Sequence, residues 1–168
     1  MIKLTRALAV IACGVILSQM AVAQPTETPP GEQPVAPYAE SNTNAGASPL
    51  TGRIFSDFHG LAGVHRIVDA TIDASVADPR IAEIFVNQDI VRLKRTLAEQ
   101  ICYLIGGPCT YSGRTMATAH ANMGIQTRDF NILVEHLQAA MRTEHVPLRA
   151  QHRLLALLAP MHRDVVAR

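Results

Sequence analysis

Between Gly106 and Ile125 the chain reads GGPCTYSGRTMATAHANMGI, and one imidazole in that run, His120, stands where it could do chemistry. A neutral imidazole can donate one ring nitrogen to a transition metal while the partner of its other N–H fixes the ring plane and tunes its basicity. Met116, Ala119, His120 and Met123 share one face of a short helical segment, which puts the ring on an apolar side. By residue type alone, such a histidine is more often a core side chain with a satisfied hydrogen bond than a metal ligand. His59, His65, His136, His145, His152 and His162 converge on no metal pattern; His145 and His152 lie two helical turns apart with no third ligand to complete a zinc site. Cys102 and Cys109 bracket the glycine turn. In an oxidising compartment they can close a short disulfide loop, and otherwise they read as two buried thiols. A catalytic dithiol is disfavoured, because the pair lacks the close C-x-x-C spacing that lowers a thiol pKa.

Helices must position these groups. Val64, Ile67, Val68, Ile72 and Val76 recur at helical spacing, with Asp69 and Asp73 opposite, and Ala77-Asp78-Pro79 ends the run. Ile81, Ile84 and Phe85 form a brief apolar patch. Asp89 suits the cap of the next helix, whose stripe is Ile90, Leu93, Leu97, Ile101, Leu104 and Ile105, with Gly106-Gly107-Pro108 as its stop. Thr127 opens a helix carrying Phe130, Leu133, Val134, Leu137 and Met141 inward. Pro147 opens the last, with Leu148, Leu154, Leu155, Leu158, Met161 and Val165 on its buried side. Arg92, Lys94 and Arg95 form a short basic cluster of the kind that is usually a solvated helix face.

Composition agrees with an all-α fold. Trp is absent, aromatics are 4% of the chain, and Ala, Leu, Ile, Val and Met carry the apolar content. The formal charge, 15 basic minus 14 acidic residues or +1, recruits neither nucleic acid nor an anionic membrane. Residues 1–23 read as a signal peptide: Lys3 and Arg6 precede an apolar run from Ala7 to Leu17 that ends in Ala21-Val22-Ala23, a small-residue cleavage pattern before Gln24. That run is shorter than the roughly 20 apolar residues of a spanning helix, so no membrane span is expected in the mature form. Lipid attachment at Cys13 ranks below cleavage, since it would leave a very apolar mature start. The protein is therefore expected to be exported, to the periplasm. Residues 24–52 are rich in Pro, Thr, Glu and Asn and are expected to be a disordered linker ahead of one domain at 53–168.

The order of elements resembles the group I truncated haemoglobins, globins shortened to a two-over-two helical sandwich. The resemblance rests on RIVDATIDASVADPRIAEIF, DIVRLK, GGPCTYSGRTM, AHANMGI and LLALLAPMHRDVV, and covers roughly Phe55 to Val166. It implies that His120 is the proximal ligand of the iron of a b-type haem, since the flanking Met116, Gly124 and Ile125 also match. No C-x-x-C-H stretch is present for covalent attachment. It further implies that Phe85 packs on the haem face, that Leu93, Leu97, Ile101, Met116, Phe130 and Leu133 line the cavity, and that the basic cluster meets the propionates. The glycine expected near the start of the domain reads here as His59, so the opening turn is expected to differ.

The distal positions depart from the family pattern. The position often held by tyrosine is Ile72, the one often held by glutamine is Leu97, and Leu93 stands at the distal-histidine site; none can donate a hydrogen bond. A donor stabilises held dioxygen by about 1.5–3 kcal/mol, or about one to two decades in affinity, whereas carbon monoxide gains little. Weak oxygen binding with near-ordinary carbon monoxide binding is expected. Thr71, Thr96 and Gln100 are the residues that would supply a missed donor. The resemblance thus implies a carrier of a diatomic gas such as oxygen, nitric oxide or carbon monoxide, with an external electron donor as a further partner. Nitric oxide dioxygenation and a redox side activity stay open. The competing reading is a haem-free helical interaction module that keeps the sandwich.

Overall fold

The computed structural model describes residues 28–166. The expected leader, residues 1–23, lies outside the described residues, as do 24–27, 167 and 168. Among the described residues the chain forms helices α1 (Ile54–Asp57), α2 (Gly60–Ala77), α3 (Ile90–Leu104), α4 (Met116–Ala119), α5 (Thr127–Thr143), α6 (Leu148–Leu158) and α7 (His162–Val165), with short 3-10 turns at Asn42–Ala45, Ala82–Phe85 and Ala159–Met161. No strand occurs among them. The long helices stack two over two: α2 packs against α3 and α5, α3 against α6, and α5 against α7.

Each long helix buries the face its periodicity predicts, with two exceptions. In α2 the buried seam is Val64, Ile67, Val68, Thr71, Ile72 and Ser75, whereas Val76 is 41% exposed. Thr71 and Ser75 tolerate burial because each hydroxyl donates to the carbonyl four residues back, Thr71 to Ile67 and Ser75 to Thr71, both at 2.7 Å. At the start of α6, Leu148 is 64% exposed while Ala150, Gln151 and Leu154 face inward. Gln151 is satisfied there by donating to the Val146 carbonyl at 2.7 Å.

Helix α3 starts as its sequence predicts, with the Asp89 carboxylate accepting from the Arg92 amide at 3.0 Å. It stops where Gly106 takes φ +81°, and both glycines of the pair have a steric reason. A Cβ on Gly106 would lie 2.5 Å from the Leu50 carbonyl oxygen, and one on Gly107 2.6 Å from Cys102 Sγ. The close backbone passage is real pairing, since the Leu50 amide donates to the Leu104 carbonyl at 2.7 Å. Cys102 and Cys109 are joined by a disulfide across this turn, Cα to Cα 5.8 Å. We expect reduction of this bond to lower stability by about 2 kcal/mol, read as a shift of the urea midpoint with an unchanged slope. A midpoint indifferent to reductant would show that the loop contributes nothing.

At the opening turn of α2, expected to differ because His59 stands where a glycine is usual, the backbone keeps a glycine-like conformation. His59 takes the left-handed conformation, φ 59° and ψ 32°, and its Nε2 is 2.8 Å from the Glu144 carbonyl at the end of α5. A hydrogen bond across the sandwich thus holds a backbone that glycine would adopt without cost.

Within the expected disordered linker, residues 24–52, several of the described positions instead dock on α3 and the turn at 111–114, while most of the stretch stays exposed. Ala45 is fully buried, Tyr38 donates to the Ser112 carbonyl at 2.8 Å, and Asn42 accepts from the Tyr111 amide at 2.7 Å. Low apolar content made this stretch look unfoldable. Its order comes from specific hydrogen bonds and ion pairs, which composition does not register.

Candidate functional site

Helices α2, α3 and α5, with the single turn of α4, enclose a cavity of about 420 Å³. Ile72, Leu93 and Leu97 wall one side; Met116, His120, Phe130 and Leu133 wall the other; Phe85, at the end of its 3-10 turn, also lines it. These are the residues the sequence placed there, with one correction. Ile101 is fully buried in the core and lines no part of the cavity, because it sits on the side of α3 turned into the packed layer.

His120 is positioned by α4. The Thr115 side chain caps that turn by accepting from the Thr118 amide at 3.3 Å, and His120 follows its last residue. Its Nδ1 lies 2.8 Å from the Met116 carbonyl, an acceptor, so Nδ1 carries the proton and Nε2 presents a lone pair. Nε2 has no protein hydrogen-bond partner among the described residues. Burial pushes the His120 pKa below the usual histidine value, only partly countered by the Met116 bond, so the ring is neutral at pH 7. A neutral, oriented imidazole on the wall of an apolar cavity is what a flat metal-bearing cofactor requires.

The polar groups around the cavity are largely committed. The Thr71 hydroxyl donates to Ile67 O, Thr96 to Arg92 O at 2.9 Å, and Tyr111 to Arg114 O at 2.9 Å. Gln100 directs its amide at the Ala45 carbonyl at 3.0 Å and otherwise meets only the thioethers of Met116 and Met161, at 3.5 and 3.7 Å. None of the three residues named as reserve donors holds a strong donor free toward Ile72 and Leu97.

The basic cluster is not a free patch. Arg92 pairs with Glu32 and Asp89, Lys94 with Asp69 and Asp73, and Arg95 with Glu32 and Glu99. Arg114, which also lines the cavity, stacks over the Tyr38 ring at 4.9 Å and has no carboxylate within ion-pair distance among the described residues. The sequence reading missed the wall made by Gln33, Pro34, Val35 and Tyr38. Its only signal was a few apolar residues, PVAPY, inside a polar stretch.

One polar cluster elsewhere has a purely structural role. Ser75 Oγ lies 2.9 Å from His136 Nδ1, and His136 Nε2 lies 3.2 Å from Asp78 Oδ2. Ser75 is fully buried, so no substrate reaches its oxygen, and the three groups clasp α2 to α5. Among the described residues no cluster of three His, Cys, Asp or Glu side chains could hold a metal ion. No helix among them is long and apolar enough to cross a membrane.

Known proteins resemble this chain in sequence and fold. A family model described as bacterial-like globin matches residues 53–167. The chain is 29% identical over 89 residues to a group 1 truncated hemoglobin of Tetrahymena thermophila, spanning 53% of this chain and 74% of that protein. It is 25% identical over 112 residues to a group 1 truncated hemoglobin of Mycolicibacterium paratuberculosis, spanning 67% and 82%. Its fold matches the crystal structure of truncated hemoglobin from Tetrahymena pyriformis in the Fe(III) form with a TM-score of 0.65 at 23% identity, covering 68% of this chain and 98% of that one. Sequence and fold therefore agree: the chain belongs to the bacterial-like globin family, as a truncated globin.

Proposed function

We propose that the protein binds a b-type haem through His120 and uses it to bind a diatomic gas in a donor-poor pocket. The observation that carries this reading is the His120 ring, with Nδ1 turned to the Met116 carbonyl and Nε2 left for a metal on the wall of a 420 Å³ apolar cavity. When bound, haem would supply an iron that His120 would hold and to which a small gas could bind. Every other requirement falls to the chain. The Met116 carbonyl holds the tautomer and sets the ring's rotation. Phe85, Phe130 and Leu133 offer apolar area to the macrocycle, while Ile72, Leu93 and Leu97 exclude water from the gas side. Arg114 at the rim, without an ion-pair partner among the described residues, would meet a cofactor carboxylate. Because Ile72, Leu93 and Leu97 carry no donor, this pocket would favour carbon monoxide over oxygen and release oxygen fast. An external electron donor would be a further partner.

One titration tests this. Purified protein given haem should show a strong Soret band at one equivalent; after reduction it should bind carbon monoxide tightly and oxygen weakly. Absence of a band after haem addition would leave a haem-free helical module as the reading.

We also propose that the protein is exported, to the periplasm, with residues 1–23 removed. The disulfide supports this, since such bonds persist in oxidising compartments. Intact mass of the recovered protein should correspond to a chain starting at Gln24 and lacking two hydrogens at Cys102 and Cys109. A mass retaining residues 1–23 would overturn the export proposal.

A further inference from the structure

The cavity has a wall that lies outside the matched globin region. Gln33, Pro34, Val35 and Tyr38 line it, although the family model begins at residue 53. What holds them there is a buried charge. The Glu32 side chain is 1% exposed, and its carboxylate meets the Arg95 guanidinium through two nitrogens, Nε and Nη2, the latter at 3.0 Å; Arg92 Nη2 stands 3.4 Å away. Arg95 is itself fixed by Glu99 at 2.6 Å and by the Ser112 hydroxyl, so the latch closes on a rigid base. One residue on, the Gln33 amide donates to Asp89 Oδ2 at 2.7 Å and its carbonyl accepts from Arg92. Farther along, Tyr38 donates to the Ser112 carbonyl while its ring carries the Arg114 guanidinium. Asp89 and Arg92 belong to the start of α3, where Arg92 also lines the cavity.

We infer that residues 32–38 form a strap over one side of the cofactor cavity, latched by Glu32, and that this strap sets how fast the cofactor leaves. The inference rests on the haem-binding reading above. A surface ion pair in water would contribute little, but this carboxylate is removed from solvent and bonded twice by one guanidinium, which is the strong geometry. Opening the strap requires parting that pair and withdrawing the half-buried Tyr38 ring from the cavity wall, together with the inner side of Val35, which is 44% exposed while docked. Without the strap, the side of the cavity between Arg92 and Arg114 opens to solvent, and water can reach the cofactor's edge. Glu32 acts here as a positioning residue: it touches the arginines, and the strap touches the cavity.

The test uses the full chain loaded with haem and a large excess of apomyoglobin as acceptor. Removing a charge-assisted bidentate bond in Glu32→Gln should accelerate haem transfer about tenfold. Tyr38→Ala, which keeps the latch but removes the ring from the wall, should accelerate it too. A second readout needs no cofactor: in Glu32→Gln the Gln33 amide, bonded to Asp89, should exchange hydrogen faster while amides in the middle of α3 keep their protection. Wild-type transfer rates in both variants, with unchanged exchange at Gln33, would overturn the strap and leave haem binding intact. A wild-type protein that takes up no haem would overturn both.

Discussion

His120→Ala is expected to abolish stoichiometric haem uptake, with the loss of the Soret band expected of the wild-type protein on haem addition. The size follows from how little else holds the metal. Disturbing the outer partner of a ligating histidine costs about 10–100-fold in metal affinity, so removing the ligand itself belongs at or beyond the upper end of that range. Among the described residues no second histidine or cysteine lines the cavity to replace it. The truncation also leaves a ring-sized gap beside the Met116 carbonyl, so added imidazole should restore part of the band. His152→Ala, at an exposed position on α6, is the control for unspecific loss. Uptake and spectrum unchanged in His120→Ala would end the ligation reading.

The second large effect concerns oxygen. Leu97→Gln should slow oxygen dissociation from the reduced, loaded protein by about one to two decades, because it supplies a donor worth about 1.5–3 kcal/mol to a polar ligand. Carbon monoxide dissociation should change far less, so the ratio of the two rates is the informative quantity. The site tolerates the change in shape, since Leu97 is only half-buried and borders open volume. The Thr71 and Thr96 hydroxyls, each closed onto its own helix, do not compete for the effect. Slow wild-type dissociation, unaltered by the substitution, would mean that the second amide N–H of Gln100 already serves the ligand.

The two variants depend on different parts of the protein. His120 sits at the end of a single helical turn whose orientation is set by one cap and one carbonyl, so its geometry is local. Leu97 gains its role from lining the same cavity as Ile72 on α2, which is a property of how two helices pack.

Local regularities carried the sequence reading where they sufficed. The helical spacing of Val64, Ile67, Val68 and Ile72, the Asp89 cap, the Gly106-Gly107 stop and the His120 motif each depend on residues a few positions apart, and each appears in the fold. Three-dimensional packing settled the rest. Val76 and Leu148 are apolar and in register with a stripe, yet they are exposed while their neighbours Ser75 and Ala150 are buried. Ile101 shares a stripe with Leu97 but turns into the core, since a stripe about 100° wide faces more than one neighbour. The basic cluster read as a solvated face because its partners, Glu32, Asp69 and Asp73, lie far from it in sequence. The strap is the clearest case: a segment too polar to bury itself becomes ordered by charges and carbonyls that α3 and the 111–114 turn present to it. Short-range pattern fixes which residues form helices, while contacts between residues 55 to 74 positions apart decide which of them enclose the cavity.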